Sequence, residues 1–111
     1  MKKINFVLLL ILLFVSCRDV NEINMERGFY YYKQNNINEA MREFNNIIYD
    51  LGQAESLNTR NRVLLARAYY NLGLSYSKLE DYNQATNYIE TAIGLDPLSE
   101  YFNTLNLIKK N

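Results

Sequence analysis

The chain contains no histidine, no tryptophan, one cysteine at position 17 and one proline in 111 residues. Without histidine, the protein lacks the residue most suited to acid–base chemistry near neutral pH. One cysteine and no histidine exclude Cys/His metal sites and an intramolecular disulfide by composition. The sequence therefore predicts no metal and no cofactor, and its length allows one small domain.

Positive charge is also in short supply, because twelve Lys and Arg only balance twelve Asp and Glu. Loss of Lys2 and Lys3 with a cleaved leader would leave ten basic residues against twelve acidic ones. Proteins that bind nucleic acid through its phosphates are usually basic. The charge balance therefore predicts no nucleic-acid partner.

A leader is indicated at the amino terminus by Lys2 and Lys3, followed by ten apolar residues from Phe6 to Val15. This matches the charged segment and the 7- to 15-residue apolar segment of a secretory signal. A transmembrane helix needs about 20 apolar residues, so a membrane-spanning anchor fits poorly. We predict that residues 1–16 form a cleaved signal peptide.

The end of this leader, Phe14-Val15-Ser16-Cys17, resembles the lipobox of bacterial lipoproteins, with Phe14 where Leu is usual. The resemblance implies a diacylglycerol on the Cys17 sulfur and often a fatty acyl chain, such as palmitate, on its amino group. Residues 17–20 would then form a short tether to a membrane of the bacterial cell envelope, in a leaflet that the sequence leaves open. The alternatives are ordinary secretion after cleavage, with an unmodified cysteine, or a small buried thiol.

An internal repeat appears when the chain is aligned with itself at an offset of 45 residues. Each copy has a glycine followed twelve residues later by an alanine, with a short polar turn between them. The coinciding pairs are Gly28 with Gly73, Tyr31 with Tyr76, Ala40 with Ala85, and Phe44 with Ile89.

Apolar residues recur at helical spacing throughout residues 21–111. Ile37, Ala40, Met41 and Phe44 begin one such stripe, and no segment alternates with period two for long enough to form a strand. We therefore predict an all-α domain with helices near 20–34, 37–51, 59–79, 82–95 and 98–110.

The segment 66–99 is 34 residues long and resembles a tetratricopeptide repeat over its whole length. The first copy, about 21–51, is a weaker match that keeps Gly28, Tyr31, Ala40 and Phe44. The resemblance implies a short α-solenoid of two helix-turn-helix repeats, closed by a capping helix at 98–110. The signature residues of the second copy are Tyr69, Leu72, Gly73, Tyr76, Ala85, Ile89, Ala92 and Pro97.

Members of this family bind peptides or partner proteins along the concave face formed by the first helix of each pair. The resemblance thus implies a membrane-anchored interaction module. We expect Tyr70 to turn toward the groove, because its neighbour Tyr69 occupies the packing position; the alternative is that Tyr70 and Phe29 pack on an adjacent helix or the cap. The implied partner-binding residues are Phe29, Tyr32, Lys33, Arg67, Tyr70, Leu74 and Lys78.

A second hypothesis is a small accessory subunit of a cell-envelope assembly. Three or more repeats are usually needed for an independently stable array. Two repeats therefore favour completion by a partner protein or by self-association.

An enzyme is the least favoured hypothesis. Its candidates are two carboxylate pairs at helical spacing, and a catalytic acid would need burial to raise its pKa. We expect both carboxylate pairs to be solvated. We also expect three arginines to be solvated, and the alternative is that they contact anionic lipid. The residues are Glu22 with Glu26, Glu39 with Glu43, and Arg60, Arg62 and Arg67.

Overall fold

The computed structural model describes residues 5–10 and 19–111; most of the predicted leader and all of the lipobox, including Cys17, lie outside them. Residues 5–10 are helical with exposed apolar side chains. The predicted all-α class is confirmed, since no strand occurs in these two ranges, and none of their helices is long and apolar enough to cross a bilayer. From residue 19 the helices are α1 (Val20–Lys33), α2 (Ile37–Gly52), α3 (Thr59–Lys78), α4 (Tyr82–Leu95) and α5 (Ser99–Lys109).

Three of these helices begin at a side chain that accepts a hydrogen bond from an otherwise unpaired backbone N–H of the first turn. Such caps are worth about 0.5 to 2 kcal/mol each. The capping residues are Asp19 for α1, Asn58 for α3 and Asp81 for α4, at 2.9, 2.8 and 3.2 Å from their donors.

The helices pack in pairs, α1 with α2 and α3 with α4, and each pair is closest at a glycine. A Cβ at Gly73 would lie 2.7 Å from Ile89 Cγ1 and 3.0 Å from the Ala85 carbonyl oxygen. A Cβ at Gly28 would lie 2.5 Å from the Phe44 ring. Phe44 and Ile89 are equivalent positions of the repeat, so one contact recurs in both pairs.

The turns inside the two pairs also repeat in detail. Asn35 and Glu80, 45 residues apart, both have positive φ, at 59° and 63°. The next residue donates its N–H to a tyrosine carbonyl in each case, Asn36 to Tyr31 at 2.9 Å and Asp81 to Tyr76 at 3.0 Å. A left-handed residue with this bond is a common helix end. The internal repeat therefore extends to backbone geometry.

The two copies are 45 residues apart, eleven more than the 34 residues of the repeat at 66–99. These eleven additional residues lie in three places. Counted from Ala40 and Ala85, α2 ends two residues later than α4. The loop before α3 is three residues longer than the loop before α5, and α3 begins six residues earlier relative to its glycine than α1 does. The extra residues of α3 include Leu64, which packs against the buried cluster of Ile47, Leu51 and Leu65.

The core runs continuously from the first pair to α5. Its largest fully buried side chains include Phe44, Leu72, Ile89 and Tyr101. Tyr101 of α5 belongs to the same buried cluster as Ile89. The capping helix is therefore part of the core and not a loose appendage.

One sequence-based expectation, that Glu43 is solvated, is wrong. Glu43 is only 6% exposed, and its carboxylate lies 3.5 Å from the Arg27 guanidinium. Arg27 occupies the position of Leu72 in the second repeat, where an apolar residue meets a preceding pair. No helix pair precedes α1 among the described residues, and at this end of the array Arg27 lies over the buried Glu43.

The close helix crossing predicts opposite effects for two Gly→Ala substitutions. Gly73→Ala inserts a methyl group against Ile89 and should lower the free energy of unfolding by about 1 to 3 kcal/mol. Gly94→Ala is the matched control, because nothing lies within 4 Å of its added Cβ. There, alanine should raise the free energy of unfolding by about 0.5 to 1 kcal/mol. Urea melts of both variants test this, and equal stability of the two would contradict the assigned crossing.

Candidate partner-binding groove

The first helices of the pairs, α1 and α3, lie side by side and run in the same direction. The residue numbers of the contacting side chains increase together along both helices, which shows that the helices are parallel. Arg60 pairs with Glu22 near the amino-terminal ends, and Lys78 reaches Tyr32 near the carboxyl-terminal ends. In between, the Asn71 amide donates to the Met25 sulfur at 3.3 Å. These contacts mark the seam between α1 and α3, which follows the length of α1 and is here called the groove.

Helix α5 continues this row on the far side of α3, again in the same direction. Arg67 pairs with Glu100 at 3.1 Å, and the Tyr70 hydroxyl hydrogen-bonds to the Thr104 hydroxyl at 2.8 Å. Three parallel first helices thus form one face of the protein.

Most of the side chains implied by the repeat resemblance are accessible on this face. The Phe29 ring is 48% exposed, and Lys33 and Lys78 are exposed. Tyr32, Arg67 and Leu74 are half-buried, and Leu74 packs against the buried cluster that contains Tyr70 and Tyr101. The structure therefore brings six of the seven residues to a surface that a partner can reach.

Tyr70 is the exception, and the expectation that it turns toward an open groove is wrong. Its side chain is buried, with only 5% exposed, and its ring stacks on Tyr101 of α5 at a centroid distance of 4.4 Å. Arg67 lies over both rings, at 5.7 and 5.2 Å. The capping helix occupies the place in which a bound segment would have met Tyr70.

The amino-terminal end of the groove is a shallow depression of about 240 Å³ with compensated charge. Arg60 lies there beside Val63, and its guanidinium is neutralised by Glu22. Arg60 is solvent-exposed, as expected, and Arg67 is half-buried; both also have carboxylate partners, Glu22 and Glu100. Sequence could not reveal these partners, because each pair joins two helices whose relative register it does not encode.

The carboxyl-terminal end is different in character, with aromatic rings and uncompensated cations. The Lys33 ammonium lies 4.5 Å from the centroid of Phe29, and that of Lys78 lies 5.7 Å from the centroid of Tyr32. Burial, with a smaller contribution from neighbouring Tyr70, raises the pKa of Tyr32. The Tyr32 hydroxyl is therefore neutral at physiological pH and can donate a hydrogen bond to a ligand.

Comparison with known proteins supports the assignment of the second pair. Residues 66–97 match the tetratricopeptide repeat family, a range that covers most of α3 and all of α4. No curated protein matches the chain. Tetratricopeptide repeats are typically non-catalytic protein-interaction modules, which agrees with a groove of rings and cations.

The packing of the cap predicts that two Tyr→Phe substitutions behave oppositely. Tyr70→Phe removes the hydrogen bond to Thr104 and should lower the free energy of unfolding by about 1 kcal/mol. The buried Tyr101 hydroxyl has no hydrogen-bond partner among the described residues. Tyr101→Phe should therefore leave stability unchanged or raise it by about 1 kcal/mol at pH 7. Chemical denaturation of the two variants checks this, and a larger loss for Tyr101→Phe would contradict the packing.

The same tyrosine predicts how stability depends on pH. Burial, opposed by nearby Arg67, raises the pKa of Tyr101, and burial also raises the pKa of Tyr76. The native state thus holds these protons more tightly than the unfolded chain does. Their contribution to stability is complete below about pH 10 and falls as pH rises through the raised native values. Thermal melts from pH 8 to 12 should show this loss, and Tyr101→Phe should reduce it.

Proposed function

We propose that this protein is a lipid-anchored interaction module that binds a segment of a partner protein in the groove between α1 and α3. The observation that carries the proposal is Phe29, a large aromatic side chain that is 48% exposed. It lies on the same face of α1 as Met25 and Tyr32, four and three residues away, which both contact α3. Interface energy concentrates in a few aromatic and arginine side chains. An exposed ring flanked by half-buried Tyr32 and two lysines has this character.

The family assignment supports the same face. The tetratricopeptide match includes α3, and α1 is its equivalent in the first repeat. Interaction modules of this type bind through their first helices. The groove between α1 and α3 is the open part of that face, because α5 already covers α3 at Tyr70.

Anchoring through Cys17 would set the distance of each end of the groove from the membrane. Only Arg18 and Asp19 separate Cys17 from α1, a span of about 10 Å at most. Two or more acyl chains give stable membrane attachment. The Arg60 end of the groove would then lie near the bilayer, and the Lys33 end, 14 residues of helix farther on, about 20 Å away.

A structural accessory subunit is the second candidate, favoured by one observation. Within residues 19–111 no second helix pairs with α5 as α4 pairs with α3, and α5 exposes Phe102 at 45% and Leu107 at 63%. A partner that packs on α5 would continue the array. This surface is separate from the groove, so the two candidates can be distinguished by mutation.

The groove proposal predicts that a double variant, Phe29→Ala with Leu74→Ala, loses its partner in the native host. Truncation of central interface residues costs about 2 kcal/mol or more, which corresponds to at least a tenfold weaker capture. The measurement is quantitative co-purification of the tagged full-length chain from solubilised membranes, with circular dichroism to verify helicity.

Tyr49→Ala is the matched control, since Tyr49 is 75% exposed on α2, away from the groove. It should retain capture. If the Phe29/Leu74 variant captures every partner while Phe102→Ala with Leu107→Ala does not, the accessory-subunit function is correct and the groove proposal is wrong.

The anchoring part of the proposal is tested by Cys17→Ser. The wild-type chain should lose its leader and partition into the detergent phase of a Triton X-114 extraction. The variant should keep its leader or remain in the aqueous phase, because serine has no thiol to receive diacylglycerol. Equal processing and partitioning of the two chains would contradict lipidation at this position.

A further inference from the structure

Two lysines at equivalent repeat positions end the helices that bound the groove. Lys33 is the last residue of α1 and Lys78, 45 positions later, is the last residue of α3. Both are exposed, and both ammonium groups lie over aromatic rings of α1, Lys33 over Phe29 and Lys78 over Tyr32. Lys78 thereby extends across the groove, from α3 to α1.

These two cations differ from most others in the described part of the chain. Five of the other seven described arginines and lysines have a carboxylate within 4 Å, whereas no described carboxylate comes that close to Lys33 or Lys78. Arg62 and Lys110 also lack such a carboxylate, but neither lies over an aromatic ring. The paired cations are Arg27, Arg42, Arg60, Arg67 and Lys109.

A lysine at a helix carboxyl terminus is favoured by the helix dipole, which accounts for the presence of Lys33 and Lys78. The dipole does not account for the position of both ammonium groups over rings on the groove. Nor does it account for the solvent exposure of Phe29 beside them. The result is a patch of two positive charges and an exposed ring, here called the basic–aromatic patch: Phe29, Tyr32, Lys33 and Lys78.

The charge of the patch selects the chemistry of its occupant. Two uncompensated ammonium groups favour carboxylates, the exposed ring favours an apolar side chain, and the neutral Tyr32 hydroxyl can donate to a carboxylate oxygen. The two ammonium groups lie over rings of Phe29 and Tyr32, which are three residues apart on α1. Acidic residues three to four positions apart on a helix, or two apart in an extended segment, have a comparable spacing of about 5 to 7 Å.

The location of the patch argues against membrane lipid as this occupant. The tether meets α1 at Asp19, at the opposite end from Lys33. The length of α1 puts the patch about 20 Å from that end, beyond the Debye length of about 8 Å at physiological salt. With α1 directed away from the bilayer, the headgroups of the anchoring membrane would act on the patch only weakly.

We infer that the basic–aromatic patch receives an internal acidic segment of the partner protein, with its carboxylates on Lys33 and Lys78 and an apolar side chain on Phe29. This inference rests on the proposed function of the groove and specifies the chemistry of its ligand. It requires carboxylate side chains and no free carboxyl terminus.

The test is a selection of random 12-residue peptides, displayed with their carboxyl ends fused to phage coat protein, against the full-length processed chain in detergent. Asp and Glu should be enriched at least twofold among bound peptides over the input library, together with an apolar residue. Enrichment should disappear against Lys33→Gln with Lys78→Gln and persist against Arg62→Gln with Lys110→Gln. Circular dichroism should show that both double variants fold like the wild type.

Absence of acidic enrichment on the wild-type chain, or its persistence after Lys33→Gln with Lys78→Gln, would overturn the inference. Binding of phosphatidylglycerol vesicles to the unlipidated Cys17→Ser chain that depends on these lysines would also overturn it, in favour of a lipid surface. Co-purification separates the two levels of the proposal. If the lysine variant keeps its natural partner and Phe29→Ala with Leu74→Ala loses it, the groove function holds and only the acidic ligand is wrong.

Discussion

The close approach of paired helices at Gly28 and Gly73 is the constraint on which the rest of the structure depends. Phe44 and Ile89 fill the space that a side chain at either glycine would occupy. The same contact and the same left-handed turn occur in both pairs, and α2 packs on α3 between them, so the first helices of the pairs run parallel. The groove follows this parallel arrangement.

The two ends of the groove differ because charge is distributed differently along it. Near the amino-terminal ends of α1 and α3, Arg60 is neutralised by Glu22. Near the carboxyl-terminal ends, Lys33 and Lys78 lie over rings and have no described carboxylate beside them. Compensated pairs mainly hold neighbouring helices together, whereas uncompensated cations are available to a ligand. Under the proposed function, the groove therefore has one end that joins the helices and one end that receives the ligand.

Helical periodicity and the 45-residue offset were enough to predict all five helices from residue 19 onward, to within two residues at each end. These patterns are local, and each helix carries its own stripe. The positions of Tyr70 and Glu43 could not be predicted in the same way. Tyr70 is buried because α5 crosses it, and Glu43 because Arg27 replaces an apolar residue at the end of the array. Both depend on how helices meet, which a single sequence does not state. The exposed positions of Phe29, Lys33 and Lys78 agree with the repeat resemblance, which places these residues on the first helices.

The central claim, that the groove is the working surface, is tested most directly by site-specific photocrosslinking in intact cells. The photoreactive residue p-benzoylphenylalanine would replace Phe29 in one chain and Tyr49, on the other helix of the first pair, in another. A crosslinked adduct of defined mass that forms from position 29 and not from position 49 is the predicted result. An adduct from position 49 alone would contradict the assignment and place the partner on the opposite side of the repeat.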